Sequence, residues 1–427
     1  MEQPELGAAI VHGMLDTTLY GAILGVTKPW RVTSVDPQLE IGDVVIRVET
    51  TEARLPCPTC SASCPRHDHR KRRWRHLPTC QYRTVIEVQV PRVRCEEHGV
   101  KQVPVPWAET NSSFTALFEA VVIAWLKEAS ISAVAEQLDL TWDQVDGIKE
   151  RAVRRGLLRR AALEPKRVGV DETSFQKRHE YVTVVNDLET GNVIWVADGR
   201  GKVALDAFYE SLGEERLDRL EAVSMDMWKP YILSTAWHVP DAERKIAFDR
   251  FHVVKHLGDA VDKVRRQENR ELMKDGDESL KGTKYVWLKK PKTLAGKQLK
   301  SFRALKDSAL KTARAWALKE AARNIWGYKT RTWARKAWNA WLDWAQRSRI
   351  EPMVKVAKTI RYNLIGILNA DVLGVTNARA ESLNAKIQRV KRMARGFRNR
   401  KRFRTSILFR LGGLDLSPQL AATHTRS

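Results

Sequence analysis

Two apolar stretches of this sequence each end in an aspartate. Val168-Gly169-Val170 leads into Asp171, and Ala222-Val223-Ser224-Met225 leads into Asp226. Short apolar runs of this kind predict strands. A carboxylate on an apolar strand is costly unless it is paired or binds a cation. The chain must therefore fold so that both acids are compensated, and two such strands favour a cation site over two separate salt bridges or caps.

A third acid completes the set that a two-metal site requires. Glu381 lies in the segment 376–386, whose pattern predicts a helix. Three carboxylates from two strands and a helix suit two Mg²⁺ ions, for which Mn²⁺ substitutes, because hard cations prefer oxygen ligands. Two ions about 3.5–4 Å apart activate the attacking oxygen and stabilise the leaving oxygen of phosphoryl transfer. Other acids near this set are Glu172, Asp187, Asp198 and Asp249.

The residues around these acids alternate between strand and helix patterns. The first three predicted strands form an antiparallel meander, and the later part of the chain is helical. Strands are predicted at 167–174, 180–187, 191–197, 221–226 and 245–248, with helices at 203–212 and 228–236. Residues 260–350 are helical and basic, with 24 Lys and Arg against 9 Asp and Glu, and a last helix-rich segment covers 352–411.

All five cysteines lie between Cys57 and Cys95. The pairs Cys57/Cys60 and Cys95/His98 each have two intervening residues, a spacing that lets two side chains converge on one tetrahedral ion. Predicted strands at 43–49 and 84–94 flank the segment, and the second would return one pair to the other. We predict one structural Zn²⁺ held by these four residues. The competing ligands are Cys64, His67, His69, His76 and Cys80.

Three predicted helices precede the first aspartate. Segments 114–128, 131–138 and 142–155 have helical patterns, and Thr141 is a natural N-cap for the last. The pattern is typical of a helix-turn-helix, although short helical hairpins also occur in proteins that bind no DNA. The last helix is the candidate recognition helix. Its candidate DNA-binding residues are Thr141, Trp142, Gln144 and Lys149.

The charge of the chain favours a polyanionic partner. It has 74 Lys and Arg against 51 Asp and Glu, a net charge of +23, and double-stranded DNA is the first candidate. Residues 385–404 contain no acid, and we expect them to contact DNA phosphates rather than form a solvated helix face. The candidate contacts are Lys386, Arg389, Arg392, Arg395, Arg398, Arg400 and Arg402. Trp338, Trp341 and Trp344 are expected to share one helix face, as core or as base-stacking wedges.

Composition and the N-terminus also limit the location of the protein. The cysteine number is odd and confined to one short segment, which does not fit a secreted disulfide framework. The N-terminus has no basic region before an apolar stretch, so we predict no signal peptide and no membrane span. We expect a cytoplasmic, nucleoid-associated protein.

Four motifs together resemble a known family. They are VGVDETS at 168–174, SMDMWKPY at 224–231, FDRFHVVKH at 248–256 and NARAESLNAKI at 377–387. In this order they resemble the DDE transposases of bacterial insertion sequences, in the ISL-three family. The resemblance implies an RNase H-like core with Asp171, Asp226 and Glu381 as the catalytic triad. It also implies that the terminal inverted repeats of the element are the substrate.

The predicted architecture is an α+β multidomain protein. It consists of a zinc-binding module, a helix-turn-helix and an RNase H-like catalytic core that is split by a helical insertion. The predicted boundaries are 1–54 for an N-terminal strand-containing segment, 55–107 for the zinc module, 112–160 for the helix-turn-helix, 165–259 and 351–411 for the two parts of the core, 260–350 for the insertion and 412–427 for a C-terminal tail.

The predicted activity is metal-dependent cleavage at the element ends followed by strand transfer into target DNA. We expect a homodimer or higher oligomer to hold the ends in a synaptic complex. Two alternatives remain open at this level. One is a sequence-specific DNA-binding regulator without catalysis, and the other is a metal-dependent nuclease that cuts without joining.

Overall fold

The computed structural model describes residues 16–418 apart from 177–179, 290, 309, 329 and 375–377, with the backbone alone at 291, 371 and 378–381. Within it the chain forms two compact units. The first unit combines residues 1–160 with 414–427, and the second covers 161–413. The chain therefore leaves the first unit, forms the second and returns to the first.

A six-stranded sheet and four α-helices build the described part of the first unit. The strand order is β1-β2-β5-β4-β3, with β6 paired to β5. Only β2 and β5 are parallel; the other neighbours are antiparallel. The elements are α1 (Asp16–Ile23), β1 (Trp30–Gln38), β2 (Asp43–Thr50), β3 (Arg54–Pro56), β4 (Ser63–Thr79), β5 (Tyr82–Cys95), β6 (Gly99–Gln102), α2 (Ala116–Glu128), α3 (Ile131–Gln137) and α4 (Trp142–Arg159).

Four of these strands, β1, β3, β4 and β6, were not predicted. β4 contains six Lys, Arg and Asp side chains in the run 68–75, so it lacks the apolar alternation that marks a strand. Its partner supplies the pattern, because β4 pairs with β5 from Arg66 to Thr79. β1 pairs with β2, which in turn pairs with β5. The predicted border between 54 and 55 therefore falls inside one sheet.

Helices α2, α3 and α4 begin where capping residues predict. Thr115, Ser130 and Thr141 each accept a hydrogen bond from a backbone N–H of the first turn. At Thr141 the cap is reciprocal, because the Gln144 Oε1 accepts from the Thr141 N–H at 2.8 Å. Such a capping box satisfies two otherwise unpaired donors. The helix-turn-helix pattern of the sequence is thus present as three capped helices.

The returning C-terminal segment packs on α4. Arg155 donates through Nη2 to the carbonyl oxygen of Leu416 at 2.9 Å, and Leu416 is buried. Gly156 permits this contact, because a Cβ at that position would lie 2.8 Å from the Leu414 Cβ and 3.0 Å from the Asp415 carbonyl oxygen. The first part of the predicted tail is therefore a packed component of the helical region.

The second unit is a five-stranded sheet with helices. The strand order is β11-β10-β7-β8-β9, in which β7, β8 and β9 are antiparallel and β10 and β11 run parallel to β7. The elements are β7 (Arg167–Gln176), β8 (Glu180–Asp187), β9 (Val193–Asp198), α5 (Lys202–Leu212), α6 (Glu214–Asp218), β10 (Ala222–Met225), α7 (Lys229–His238), α8 (Ala242–Lys245), β11 (Ile246–Phe248), α9 (Arg250–Lys274), α10 (Lys284–Leu288), α11 (Gly296–Leu305), α12 (Lys311–Ile325), α13 (Arg331–Arg347), α14 (Glu351–Tyr362), α15 (Leu364–Val372), α16 (Ala378–Met393) and α17 (Arg400–Leu411).

The helical region after β11 differs from the prediction in two respects. Helix α9 begins at Arg250, after an N-cap at Asp249, and continues through the predicted border at 259/260. On α13, Trp338 and Trp341 are buried, whereas Trp344 is 44% exposed. The three tryptophans do not share one face, because successive steps of three residues rotate by about 60° around a helix.

A polar cluster joins α5 to α7. The carboxylate of Asp206 accepts from Ser234 Oγ at 2.6 Å and from Lys202 Nζ at 2.9 Å, and His238 Nε2 lies 3.1 Å away. Burial raises the pKa of Asp206, but these three partners lower it by more, so that the net pKa lies below the usual value.

Candidate active site and DNA-binding modules

Asp171 and Asp226 lie on neighbouring parallel strands at equivalent positions. Gly169 of β7 pairs with Ser224 of β10, and each aspartate lies two residues beyond its strand's paired residue. Equal spacing along parallel strands brings both carboxylates to the same part of the sheet. Both line one cleft, so the structure brings together these two sequence-predicted residues.

The two carboxylates have opposite electrostatic environments. Burial raises the pKa of Asp171, and the negative charge of Asp226 raises it further. Burial also raises the pKa of Asp226, but the hydrogen bond and the charge of His252 outweigh burial and leave it lowered. A cation bound in the cleft would relieve the repulsion between these two acids.

A histidine, His252, contacts Asp226 of this pair. It lies in the first turn of α9, with Nδ1 3.2 Å from Asp226 Oδ2 and Nε2 3.9 Å from Asp249 Oδ2. Burial lowers the pKa of His252, but the hydrogen bond and charge of Asp226 raise it by more. Asp249 also accepts from the Phe251 N–H at 2.8 Å and thereby caps α9. The cap fixes the helix that places His252 against the aspartate.

The third predicted acid lies on the helix that covers Asp171. Position 381 belongs to α16, but the side chain of Glu381 lies outside the described residues. One turn further along α16, Asn384 donates through Nδ2 to Asp171 Oδ2. The backbone N–H of Glu172 donates to Asp171 Oδ1 at 2.8 Å. These contacts fix the Asp171 carboxylate and the register of α16 against β7.

The other acids near the set have separate positions. Asp249 lines the cleft with the two aspartates, and Glu172 follows Asp171 directly. Asp187 is used in a turn, where it accepts from the Glu189 N–H and from Thr190 Oγ1. Asp198 lies 3.6 Å from Arg404 Nε.

The four predicted zinc ligands form one cluster. Cys57 and Cys60 lie in the turn after β3, and Cys95 and His98 lie in the turn between β5 and β6. Their ligand atoms all lie within 4.8 Å of one another. The Cys60 and Cys95 sulfurs are 3.6 Å apart, close to the separation of about 3.8 Å that two thiolates have on a tetrahedral zinc ion. Hydrogen bonding from His98 lowers the pKa of the Cys95 thiol to about 6, which favours the thiolate that metals bind.

The competing side chains lie outside this cluster of ligand atoms. Cys64 is buried, and its Sγ donates to the Ala62 carbonyl oxygen at 3.3 Å. His67 contacts Arg94, and His76 is hydrogen-bonded to Thr115 at 2.9 Å. The two others, Cys80 and His69, are exposed.

The candidate recognition residues of α4 divide into exposed and buried side chains. Thr141, Trp142 and Gln144 are exposed at the start of the helix, although Thr141 and Gln144 also form the capping box. Lys149 is only 4% exposed, and its Nζ lies 2.6 Å from Asp146 Oδ1. The prediction that Lys149 contacts DNA is therefore wrong for this conformation.

The basic run at 385–404 spans two helices. It covers the second half of α16 and the start of α17, with a turn at Arg395 and Gly396 between them. Leu383 and Ile387 of α16 pack with Phe403 and Ile407 of α17 in one apolar cluster. The seven candidate phosphate contacts are exposed: Lys386, Arg389, Arg392, Arg395, Arg398, Arg400 and Arg402.

Sequence reasoning missed His252 and Asn384 as parts of the site. Both stand in motifs that were already distinctive, FDRFHVVKH and NARAESLNAKI. Asn384 lies three residues after position 381, a spacing that places two side chains on one helix face. That spacing was the available signal for Asn384. His252 required knowledge of where α9 begins.

The chain matches known protein families over most of its length. Residues 168–407 match a family described as Transposase, within ISL3. Residues 103–153 match the helix-turn-helix domain of transposase family ISL3, and residues 54–98 match the zinc-finger of transposases IS204, IS1001, IS1096 and IS1165. None of the helices in the described residues has the length and apolar character needed to cross a membrane.

Curated relatives give the same result. The transposase for insertion sequence element IS1557 of Mycobacterium tuberculosis, found in two strains, is 30% identical over 90% of this chain and 93% of its own length. The transposase for insertion sequence element IS1001 of Bordetella parapertussis is 28% identical over 84% of this chain and 89% of its own. With its zinc ribbon, helix-turn-helix and DDE domains, the chain belongs to the ISL3 family of insertion-sequence transposases.

Proposed function

We propose that this protein cuts DNA at the terminal inverted repeats of an insertion sequence and joins the freed 3′-hydroxyl to target DNA. The observation that carries the proposal is the placement of Asp171 and Asp226 at equivalent positions on adjacent parallel strands. Both line one cleft, which α16 covers with Asn384 on Asp171. Glu381 is proposed as the third acid on the same helix.

An RNase H-like core is the fold that we propose for the second unit. The sheet order β11-β10-β7-β8-β9 supports it, because three antiparallel strands are followed by two parallel strands beside the first. Helices α9 to α15 lie in sequence between the second aspartate and α16, as expected for a helical insertion. The proposed insertion covers 260–350, and its first residues belong to α9.

The donor set fits divalent metal ions. Asp171, Asp226 and Glu381 would hold two Mg²⁺ ions, for which Mn²⁺ substitutes, because carboxylate oxygens are the preferred ligands of both. When bound, such ions activate the attacking oxygen and stabilise the leaving oxygen. The protein's own part is to fix the carboxylates: Asn384 and the Glu172 N–H hold Asp171, and His252 holds Asp226.

The first unit is proposed to bind the element ends. One structural Zn²⁺ at Cys57, Cys60, Cys95 and His98 would hold the turns at the ends of β3 and β5 together. The exposed start of α4, with Trp142 and Gln144, is the candidate surface for reading bases. The exposed cations of α16 and α17 would bind phosphates without reading sequence. We propose that a homodimer or higher oligomer holds both ends.

The decisive test is a strand-cleavage and joining assay with Mg²⁺ on a labelled duplex of the DNA that flanks this gene. Asp171→Asn and Asp226→Asn should each abolish cleavage and leave DNA binding nearly unchanged, because the carboxylates of one metal site act as a unit. Asp187→Asn is the matched control, since Asp187 lies in a turn outside the cleft. Wild-type cleavage rates in either active-site variant would refute the assignment.

The same assay separates the alternatives. A protein that binds the duplex without cutting it in Mg²⁺ or Mn²⁺ would be a DNA-binding regulator. A protein that cuts without joining would be a nuclease. Cleavage followed by joining of the 3′-hydroxyl to target DNA is the expected result.

A further inference from the structure

An arginine lies between two aromatic rings beside the candidate active site. The Arg200 guanidinium carbon is 4.2 Å from the centre of the Tyr181 ring and 4.8 Å from the centre of the Trp228 ring. Cations stack favourably on aromatic faces, and the planar guanidinium does so better than an ammonium group. The two rings therefore fix the plane of the guanidinium.

The loop that carries Arg200 is also fixed. Gly199 adopts a positive φ of 85°, and its N–H donates to the Tyr181 carbonyl oxygen at 2.9 Å. Thr183 Oγ1 donates to the Gly199 carbonyl oxygen at 2.8 Å, and Trp228 Nε1 donates to the Arg200 carbonyl oxygen at 2.9 Å. The loop is thus anchored to β8 on one side and to the residues after Asp226 on the other.

Arg200 contacts residues that lie close in sequence to Asp171 and Asp226. Trp228 lies two residues after Asp226, and Glu172, which follows Asp171, is the nearest carboxylate to Arg200 at 3.9 Å. Successive residues of a strand point to opposite faces of a sheet. The Asp171 side chain and the Glu172–Arg200 pair therefore lie on opposite faces of β7.

The guanidinium keeps its hydrogen-bonding capacity. It contacts two rings, but among the described residues it donates no hydrogen bond, and the ion pair with Glu172 is long. The side chain is 35% exposed. A guanidinium has five N–H donors in a fixed fork that matches a phosphate, and a prearranged fork loses little entropy on binding.

We propose that Arg200, in contact with the rings of Tyr181 and Trp228, is a binding site for one DNA phosphate near the scissile position, on the opposite face of β7 from the Asp171 side chain. This inference rests on the proposed function, because it requires DNA to pass the edge that Asp171 and Asp226 form. Arg200 would then position the DNA strand, although it belongs neither to the triad nor to the basic run at 385–404. The two rings hold the guanidinium in place, and its N–H groups remain available to the DNA.

The test is a set of duplexes of the flanking DNA, each with one phosphate made neutral as a methylphosphonate. At one position near the cleavage site, neutralisation should weaken binding by wild-type protein about 10-fold or more, the effect of one charge-assisted hydrogen-bonded pair. Arg200→Ala should weaken binding to unmodified duplex by a similar factor. Combining the two changes should cost no more than either alone, because both remove the same contact.

Two further variants guard against a merely structural effect. Arg200→Lys keeps the charge but not the planar fork, so it should restore only part of the affinity. Arg219→Ala removes an ion-paired arginine just before the start of β10, the end away from Asp226. Any effect of this change on DNA affinity should be independent of every methylphosphonate, so the two fold-changes should multiply. Melting temperatures of all variants report on folding.

Three results would overturn the proposal: unchanged binding by Arg200→Ala, multiplication of its effect with methylphosphonates at every position, or full rescue by Arg200→Lys. The proposal would also be overturned if Arg200→Ala showed no coupling to any methylphosphonate but showed coupling to replacement of a guanine by 7-deazaguanine. That result would indicate a contact with a base. Cleavage of unmodified duplex by wild-type protein reports separately on the proposed function. If the protein binds but does not cut, the coupling at Arg200 is still measured.

Discussion

Replacing Gly156 with alanine tests whether the C-terminal segment is a structural part of the helix-turn-helix. In most exposed helices this change stabilises, because alanine has the higher helix propensity by about 1 kcal/mol. Here the new Cβ would lie 2.8 Å from the Leu414 Cβ and 3.0 Å from the Asp415 carbonyl oxygen. Both distances are shorter than van der Waals contact, and one of the atoms is backbone.

The magnitude follows from these two opposing effects. Overpacking of a well-packed contact costs about 1–3 kcal/mol, and a backbone neighbour cannot rotate away, so we take the upper half of that range. After the propensity gain, the net loss for Gly156→Ala should be about 1–2 kcal/mol. Gly147 in the same helix is the matched control, because its Cβ would meet only Arg151 Nη1 at 3.6 Å. Gly147→Ala should stabilise α4 by about 0.5–1 kcal/mol.

Amide hydrogen exchange on the full chain measures this difference locally. In Gly156→Ala the amides of the last turn of α4 and of residues 415–417 should exchange faster, and in Gly147→Ala those of α4 should exchange more slowly. In a Leu416→Ala background the Gly156 effect should shrink, since the segment is already loosened. If the amides of the last turn of α4 and of residues 415–417 were protected equally or better in Gly156→Ala than in Gly147→Ala, the packing of the C-terminal segment on α4 would be refuted.

Three further predictions concern metal, salt and acid. Cys57→Ser should lower the zinc content measured by elemental analysis, whereas Cys80→Ser should retain it; equal zinc in both would exclude the cluster. Arg398→Ala with Arg402→Ala should weaken specific and non-specific DNA alike and reduce the log–log salt slope by about 0.9 per lost contact, and selective loss of the specific site would contradict this. Because the pKa of Asp206 is lowered in the folded protein, its contribution to stability is present above about pH 4 and lost as the pH falls further. Asp206→Asn should therefore be less stable in urea at pH 7 and show a flatter change towards pH 3 than wild type; parallel curves would contradict the assignment.

The sequence predicted best those elements whose signal is local. The strands that carry Asp171 and Asp226 have unbroken apolar runs, and helix α4 begins at a capping residue. The cysteine spacing likewise fixed which ligands could meet, and the structure brings the four together. In each case a short stretch of sequence contains the whole physical reason for the structure.

The predictions that differ from the structure have two causes. Some elements depend on residues distant in sequence, and some side-chain positions depend on the helical period. β4 is a strand because β5 pairs with it, and nothing in its own charged sequence shows that. Trp344 is exposed because its position on α13 turns it away from Trp338. Lys149 lies on the same helix face as Val145 and Ala152, which are buried, so the helical period alone could have placed it inside.

The return of the chain to α4 fixes an order of events during synthesis. Arg160 leaves the ribosome before the second unit, and Leu414–Ser417 leaves after it. At about 5–20 residues per second, the roughly 250 residues between them take about 13–50 seconds to translate. Throughout that interval the groove at Gly156 is unfilled, and Arg155 has no carbonyl of Leu416 to bind. A chain that ends before Leu414 therefore lacks the segment that packs on α4 at Gly156 and Arg155.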